Sequence, residues 1–193
     1  YRLGLKLLEP GQFLLQNMDI RTGARKTLEE LSRTTGQTTH LVIRDGREGV
    51  YIDKVEGEKA AIRYSRIGRR VPLHTSAVGK VLAAFLPPEE LKALLADYAF
   101  VRHTPNTITD REAFLAEIER VRQEGCATDR EENEPGVRCV AAPVFDHAGK
   151  IAGAISISTL ASAVGDEALR SLAALLVQGA KEISGAMGFR QPG

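Results

Sequence analysis

The stretch that decides the fold class is VRCVAAPVFDHAGKIAGAISIS, residues 137–158. Its first and last parts predict two β-strands, residues 137–145 and 151–158, and the turn-forming residues 146–149 between them predict a tight connection. Two strands joined in this way form a β-hairpin and lie antiparallel. The stretch therefore predicts a mainly antiparallel sheet.

Other strands are predicted on both sides of the helical middle of the chain. Residues 126–131 form one strand ahead of the hairpin. In the first third, alternating residues at 39–43 and 50–54 flank the Asp45-Gly46 turn and predict a second hairpin. A further short strand is predicted at residues 60–64.

Five helices are predicted where apolar residues recur at intervals of three and four. They cover about residues 14–34, 76–86, 88–95, 109–125 and 166–187. The capping-box spacing of Thr109 and Glu112 marks the start of the fourth helix, and Gly125 marks its end. Residues 1–12 are predicted to be a short extended piece. Runs of strands and runs of helices in this order are typical of an α+β fold.

Composition limits the class of function. The 193 residues carry 26 basic and 25 acidic side chains, and this near-neutral balance disfavours broad nucleic-acid binding by the segment itself. The two cysteines are too few for a disulfide scaffold and are compatible with a cytoplasmic location. No apolar run approaches the ~20 residues of a membrane span. Because residue 1 is Tyr and not Met, we expect a fragment of a longer protein.

The strand at residues 151–158 has two different faces, because successive side chains alternate. One face carries Ile151, Gly153, Ile155 and Ile157, and the other carries Ala152, Ala154, Ser156 and Ser158. The isoleucine face is typical of packing against helices. The alanine and serine face leaves room for a ligand and directs hydroxyl groups towards it, as a concave binding site requires. The alternative is that the small residues only admit a close-packed helix.

Two neighbouring strands and one helix start carry further candidates. Asp129 and Cys139 would join the two serines if their strands place them on the same side of the sheet; otherwise Asp129 is a solvated charge and Cys139 an inert buried residue. Ser76 begins a helix, where it is expected to act as the cap. The same helix start offers free N–H groups to a carboxylate ligand. His74 is expected either to bind that ligand or to support its loop.

Two long motifs resemble one known family. The segment HTSAVGKVLA at residues 74–83 and the segment DREENEPGVRCVAAPV at residues 129–144 are similar to signatures of the isocitrate lyase regulator (IclR) family. The resemblance implies the C-terminal effector-binding domain of a transcription regulator, with a GAF-like, mainly antiparallel sheet flanked by helices. It also implies that residues 1–12 end an upstream winged helix-turn-helix domain, that residues 13–36 form a linker helix, and that residues 37–190 form the effector-binding domain.

The resemblance also implies a binding site and partners. Some residues match ligand-binding positions of the family, and others are proposed as additional candidates. The full set is Ser76, Ala77, Val78, Asp129, Cys139, Ser156, Ser158 and Ile62. The ligand would be a small organic acid, with its carboxylate at the start of the helix that follows Ser76. DNA would be bound by the upstream domain, and the protein would be a homodimer or homotetramer. No cofactor, no membrane contact and no catalytic residue is predicted.

Two other functions remain open at this point. Cys139, His74 and Asp129 are the residue types of a thiol nucleophile, its base and an orienting acid. The same three residues could bind zinc, although their spacing is not that of a closed zinc site. The segment around Lys80 is not a P-loop, and no G-x-S-x-G motif is present. The sequence therefore favours a regulator over an enzyme or a metal-binding sensor.

Overall fold

A computed structural model describes residue 6 and residues 8–16, 18–59 and 65–190. Six strands form one sheet in the order β3-β2-β1-β6-β5-β4, and all neighbouring strands are antiparallel. The strands are β1 (Thr38–Asp45), β2 (Glu48–Val55), β3 (Arg70–Pro72), β4 (Ala127–Arg130), β5 (Val137–Phe145) and β6 (Ile151–Leu160). The predicted α+β class and both predicted hairpins are confirmed.

Six helices accompany the sheet in the described part of the chain. They are α1 (Leu8–Gln16), α2 (Asp19–Thr35), α3 (Ala77–Ala84), α4 (Pro88–Leu94), α5 (Arg111–Glu124) and α6 (Asp166–Ala186). The predicted cap of α5 is one residue early, because the side chain of Asp110, and not that of Thr109, accepts the hydrogen bond from the N–H of Ala113. None of the described helices combines the length and apolar character needed to cross a membrane.

The N-terminal segment differs from the prediction in two ways. Residues 8–12 are helical and not extended, since Pro10 lies in the first turn of α1, where its missing N–H costs no helical hydrogen bond. The single helix predicted at 14–34 is divided into α1 and α2. Met18 adopts an extended backbone and acts as the N-cap of α2, so a new helix begins at Asp19.

One strand was missed and one lies outside the described residues. The three-residue strand β3 pairs with β2, with Val71 opposite Gly49, and was not predicted because it is too short to show an alternation. The strand predicted at residues 60–64 lies outside the described residues. The assignment of residues 1–12, 13–36 and 37–190 to a junction, a linker and a domain stays a prediction.

The sheet has a core on each of its faces. Helices α2 and α6 pack on one face, where Ile155 and Ile157 are fully buried. Helices α3 to α5 pack on the other face, together with Ala154. Ile151 departs from the predicted isoleucine face and packs on the side of α3, and Ala152 departs from the predicted alanine and serine face and packs on the side of α2 and α6. The reason is a β-bulge, since Phe145 pairs with Ile151 and Val144 with Gly153, which leaves Ala152 as an extra residue.

Candidate functional site

Strand register brings the predicted polar residues to one face of the sheet. Cys139 of β5 lies opposite Asp129 of β4 on one side and opposite Ser158 of β6 on the other. Ser156 lies opposite His40 of β1. Since directly opposed residues share a face, one carboxylate, one thiol, two hydroxyls and one imidazole point to the same side.

These side chains surround a small cavity between the sheet and the start of α3. Its volume is about 20 Å³, enough for one water molecule. Its walls are formed by His40, Tyr51, Ser65, Ser76, Ala77, Val78, Asp129, Asn133, Glu134, Val137, Cys139, Ser156 and Ser158. Seven of the eight predicted site residues are in this set, and the eighth, Ile62, lies outside the described residues. Their role in binding a ligand stays a prediction.

Hydrogen bonds connect the strand side chains across the cavity wall. The Cys139 Sγ lies 3.1 Å from the Ser158 Oγ. The Nδ1 of His40 lies 3.3 Å from the Ser156 Oγ and 3.5 Å from the Ser158 Oγ. On its other side, the Nε2 of His40 lies 2.7 Å from the Ser65 Oγ. The imidazole therefore links two hydroxyl groups of β6 to that of Ser65, from a distant part of the chain.

His40 is neutral in this environment. Burial, together with the positive charge of Lys54, lowers the pKa of His40 to about 3. A neutral imidazole has one N–H donor and one acceptor nitrogen, so it can both give and receive a hydrogen bond within the hydroxyl network. Tyr51 packs edge-on against this ring, with the ring centroids 5.1 Å apart. Together the two rings form one side of the cavity.

Asp129 is the principal carboxylate of the cavity and is 3% exposed. Burial raises the pKa of Asp129 to about 7, although hydrogen bonds to the backbone N–H groups of Glu132 and Asn133 act in the opposite direction. Its Oδ1 accepts the N–H of Glu132 at 2.7 Å and that of Asn133 at 3.4 Å. These bonds fix the carboxylate at the end of β4. At neutral pH the side chain is therefore divided between its protonated and ionised forms.

The start of α3 lies against the same cavity. The side chain of Ser76 accepts the N–H of Gly79 at 3.0 Å and donates to the carbonyl of Pro72, so the predicted capping role is present. Helical geometry leaves the N–H groups of Ala77 and Val78 without an intrahelical acceptor. Both residues line the cavity. This end of α3 can therefore accept an anion.

A buried lysine ties α3 to strand β4, which carries Asp129, and to the residues that follow it. Lys80 is 1% exposed, and its Nζ donates to the carboxylates of Glu117 and Glu132 and to the carbonyl of Thr128, at 2.8 to 3.0 Å. Three acceptors match the three protons of the ammonium group. Sequence reasoning considered Lys80 only as part of a P-loop and missed this structural role.

The residues needed for thiol catalysis or zinc binding do not converge. His74 lies outside the cavity, with its Nδ1 3.1 Å from the Tyr98 hydroxyl and its Nε2 3.0 Å from the Val101 carbonyl. Burial and the nearby Asp129 raise the pKa of the Cys139 thiol, which keeps it protonated, whereas a nucleophile needs a thiolate. Within the described residues, no three His, Cys, Asp or Glu side chains are grouped to hold a metal ion.

Several cavity residues were missed from the sequence. They are His40, Tyr51, Ser65, Asn133, Glu134 and Val137. The alternation of Thr39, Leu41 and Ile43 contained a usable signal, because it places His40 on the opposite face of β1. The alternation of Val50 and Ile52 contained the same kind of signal for Tyr51, because it places Tyr51 on the opposite face of β2 from those two residues.

Comparison with known proteins decides the family. The family model described as "Bacterial transcriptional regulator IclR C-terminal" matches residues 12–185. The chain belongs to the IclR family of bacterial transcriptional regulators. It is 52% identical over 189 residues to the HTH-type transcriptional regulator XynR of Escherichia coli strain K12. The aligned residues cover 98% of this chain and 75% of XynR. The resemblance given by the two sequence motifs is thereby confirmed.

Solved structures of the IclR family have the same fold. The crystal structure of Thermotoga maritima IclR matches with a TM-score of 0.91 and 42% identity, over 96% of this chain and 75% of that one. A double mutant of the PobR inducer-binding domain from Acinetobacter, in complex with 3-hydroxybenzoic acid, matches with a TM-score of 0.76 and 30% identity. That match covers 83% of this chain and 95% of the PobR chain.

Proposed function

We propose that this IclR-family domain binds a small organic acid in the cavity at the start of α3 and transmits its binding to an attached DNA-binding domain. The observation that carries the proposal is the convergence of seven predicted residues and His40 on one enclosed space. The complex of the PobR domain with 3-hydroxybenzoic acid supports an acid as the ligand class.

The cavity offers a distinct partner to each part of such a ligand. The carboxylate would accept hydrogen bonds from the N–H groups of Ala77 and Val78, where the dipole of α3 favours negative charge. A ligand hydroxyl or oxo group would bond to Ser156, Ser158 or His40. Asp129 would accept from a ligand hydroxyl when ionised and donate to an oxygen when protonated.

The size of the cavity implies that ligand binding moves its walls. A space of about 20 Å³ is far below the volume of an organic acid, which needs several water volumes. The ligand therefore favours an expanded arrangement over the compact one. Such differential affinity is the physical requirement for a ligand to shift a conformational equilibrium.

Two strands carry the movement from the cavity to α2. On β1, His40 faces the cavity, while its neighbour Thr39 donates from its hydroxyl to the Leu28 carbonyl of α2 at 3.0 Å. On β2, a bulge at Ile52 lets Tyr51 face the cavity although Asp53, two residues on, faces α2. A shift of either strand therefore changes the position of α2, which we propose as the linker helix.

The remaining partners follow from the family. DNA would be bound by a domain preceding this one, the functional unit would be a homodimer or homotetramer, and the location would be the cytoplasm. The near-neutral charge of this chain supports DNA binding by another segment.

Isothermal titration tests the proposal with a panel of small 2-oxo, hydroxy and aromatic carboxylic acids. We expect saturable binding of at least one acid and a loss of at least about tenfold in affinity in the double variant Ser156→Ala with Asp129→Ala, which removes two polar partners. Ser171→Ala is the matched control, since this exposed hydroxyl on α6 bonds only to the Glu167 carbonyl within the described residues. No binding across the panel, or equal binding by the double variant, would contradict the proposal.

A further inference from the structure

A second and larger cavity lies at the outer edge of the sheet. Its volume is about 250 Å³, and no residue lines both it and the first cavity. Strand β4 pairs with β5 only from Arg138 to Ala141. The cavity lies beside the part of β5 that follows Ala141, where β4 no longer pairs with it. Beyond that point, residues of α6 and the end of α3 face the β5 edge.

The walls of this edge cavity are mainly apolar and include three phenylalanine rings. The rings of Phe85 and Phe145 meet edge to face with centroids 5.2 Å apart, and Phe189 lies 5.2 Å from Phe145 on the other side. Ala142 and Val177 complete the apolar surface. Aromatic faces of this kind suit the burial of a ring or an alkyl chain.

Two alternate residues of β5 that line the cavity, Pro143 and Phe145, have no free backbone N–H group. Pro143 has no N–H. The N–H of Phe145 donates to the Ser184 Oγ at 3.0 Å, and the same hydroxyl donates to the Ala180 carbonyl at 2.7 Å. An apolar ligand body can therefore lie along the strand edge without leaving these groups unsatisfied.

The charged residues of the edge cavity are both cationic. Arg122 and Lys181 line it, and no Asp or Glu does so among the described residues. Arg122 is held by the Ala84 carbonyl through its Nε and by Glu119 at 3.1 Å through its Nη1, while its Nη2 has no partner in the described part of the chain. Lys181 is exposed on α6 and forms no ion pair with the residues that are described.

We propose that the edge cavity binds an apolar carboxylate with a single charged end, such as a medium-chain fatty acid or an aromatic acid without further polar groups. The apolar body would lie among Phe85, Phe145 and Phe189. The carboxylate would pair with Lys181 and Arg122. This ligand class differs from the small polar acid of the first cavity, and the two sites are separate because they share no residue.

Titration calorimetry with octanoate, and with 1-octanol as its uncharged counterpart, tests the charge requirement on the 193-residue chain. We expect saturable octanoate binding and at least about tenfold weaker binding of octanol. Lys181→Glu should weaken octanoate binding by a similar factor. Arg170→Glu is the control, because it makes the same charge change at another exposed position of α6 and should leave octanoate affinity unchanged.

Two further measurements keep this proposal separate from the first. Phe189→Ala should weaken octanoate binding, whereas Asp129→Asn with Ser158→Ala, in the first cavity, should not. No saturable binding of octanoate at millimolar concentrations, equal binding of octanol, or equal effects of Lys181→Glu and Arg170→Glu would overturn the proposal. Loss of octanoate binding in the Asp129 and Ser158 variant would assign octanoate to the first cavity and also overturn it.

Discussion

The carboxylate of Asp53 in β2 accepts a 3.0 Å hydrogen bond from the guanidinium group of Arg25 in α2. Asp53 is 1% exposed, and Arg21 of the same helix lies 3.6 Å from its other oxygen. An almost fully buried carboxylate requires such partners, since burying an unpaired charge is costly. The contact therefore holds α2 in a fixed position on the strand that also carries Tyr51 of the cavity.

Arg25→Ala is expected to uncouple α2 from the cavity. Because Arg25 is partly exposed and Arg21 remains, the free energy of unfolding should fall by only about 0.5 kcal/mol, and ligand affinity should stay within about twofold of the parent chain. The measurement is amide hydrogen exchange across α2, with and without the acid identified by titration. We expect the ligand-induced change to be lost. Lys26→Ala, on the exposed side of the helix, should retain it, and an unaltered response in Arg25→Ala would contradict this coupling route.

The ionisation of Asp129 predicts how ligand affinity depends on pH. With a pKa of about 7, the carboxyl group becomes negative as the pH rises through neutrality. That charge repels a bound carboxylate. The affinity for the acid should therefore fall as the pH rises from about 6 to about 8, through the Asp129 pKa of about 7. Titration calorimetry at several pH values measures the slope. Asp129→Asn, which stays neutral, should remove most of it, and a variant with the full slope would show that another group titrates.

The same group makes the stability of the protein depend on pH. Burial raises the pKa of Asp129 from its ordinary value of 3.8 to about 7. Between these values the folded chain holds a proton that the unfolded chain has released, so the free energy of unfolding falls as the pH rises from about 4 to about 7. Urea unfolding at a series of pH values measures this trend. Asp129→Asn should flatten it, and an unchanged trend in that variant would contradict the assignment.

Strand alternation explains which part of the site the sequence could predict. Ser156 and Ser158 were placed on one face because side chains in a strand alternate, whereas the side faced by Cys139 and Asp129 was left open because it depends on register between strands. The capping role of Ser76 was also predictable, since it depends only on neighbouring residues. In each case the signal is local in the chain.

The remainder depends on contacts that are distant in sequence. His40 meets Ser156 only because β1 pairs with β6, 116 positions away. The bulge at Ile52 reverses the alternation after it, so Asp53 turns to α2 and Lys54 to the side of His40, and the bulge at Ala152 moves Ile151 off the isoleucine face. No local pattern marks either bulge. The division of the predicted N-terminal helix at Met18 was likewise hidden by a continuous apolar spacing.

Lys80→Met is expected to destabilise the fold strongly. The ammonium group is 2% exposed and lies between Glu117 and Glu132, which are themselves only 16% and 10% exposed. Removing it deprives the buried carboxylate of Glu132 of its cation, while Glu117 keeps Arg120; breaking a buried pair in this way costs about 3 kcal/mol in comparable cases. Urea unfolding measures the loss. Lys92→Met, at an exposed position of α4, is the control and should change stability by less than about 0.5 kcal/mol; an equal, small effect in both variants would contradict the structural role of Lys80.

Gly79→Ala tests how the start of α3 is positioned against the cavity. A Cβ atom at residue 79 would lie 2.4 Å from the Cα of Leu73 and 2.5 Å from its carbonyl oxygen, both of which belong to the backbone and cannot move aside cheaply. We expect the variant to lose about 2 kcal/mol of stability and to bind acid more weakly, because α3 must retreat together with the N–H groups of Ala77 and Val78. Thermal unfolding and titration calorimetry measure the two effects. The control is Gly185→Ala on α6, where a Cβ meets no atom within 4 Å. There the substitution should stabilise the helix by about 0.5–1 kcal/mol, so a gain in stability at both positions would show that α3 does not depend on this close approach.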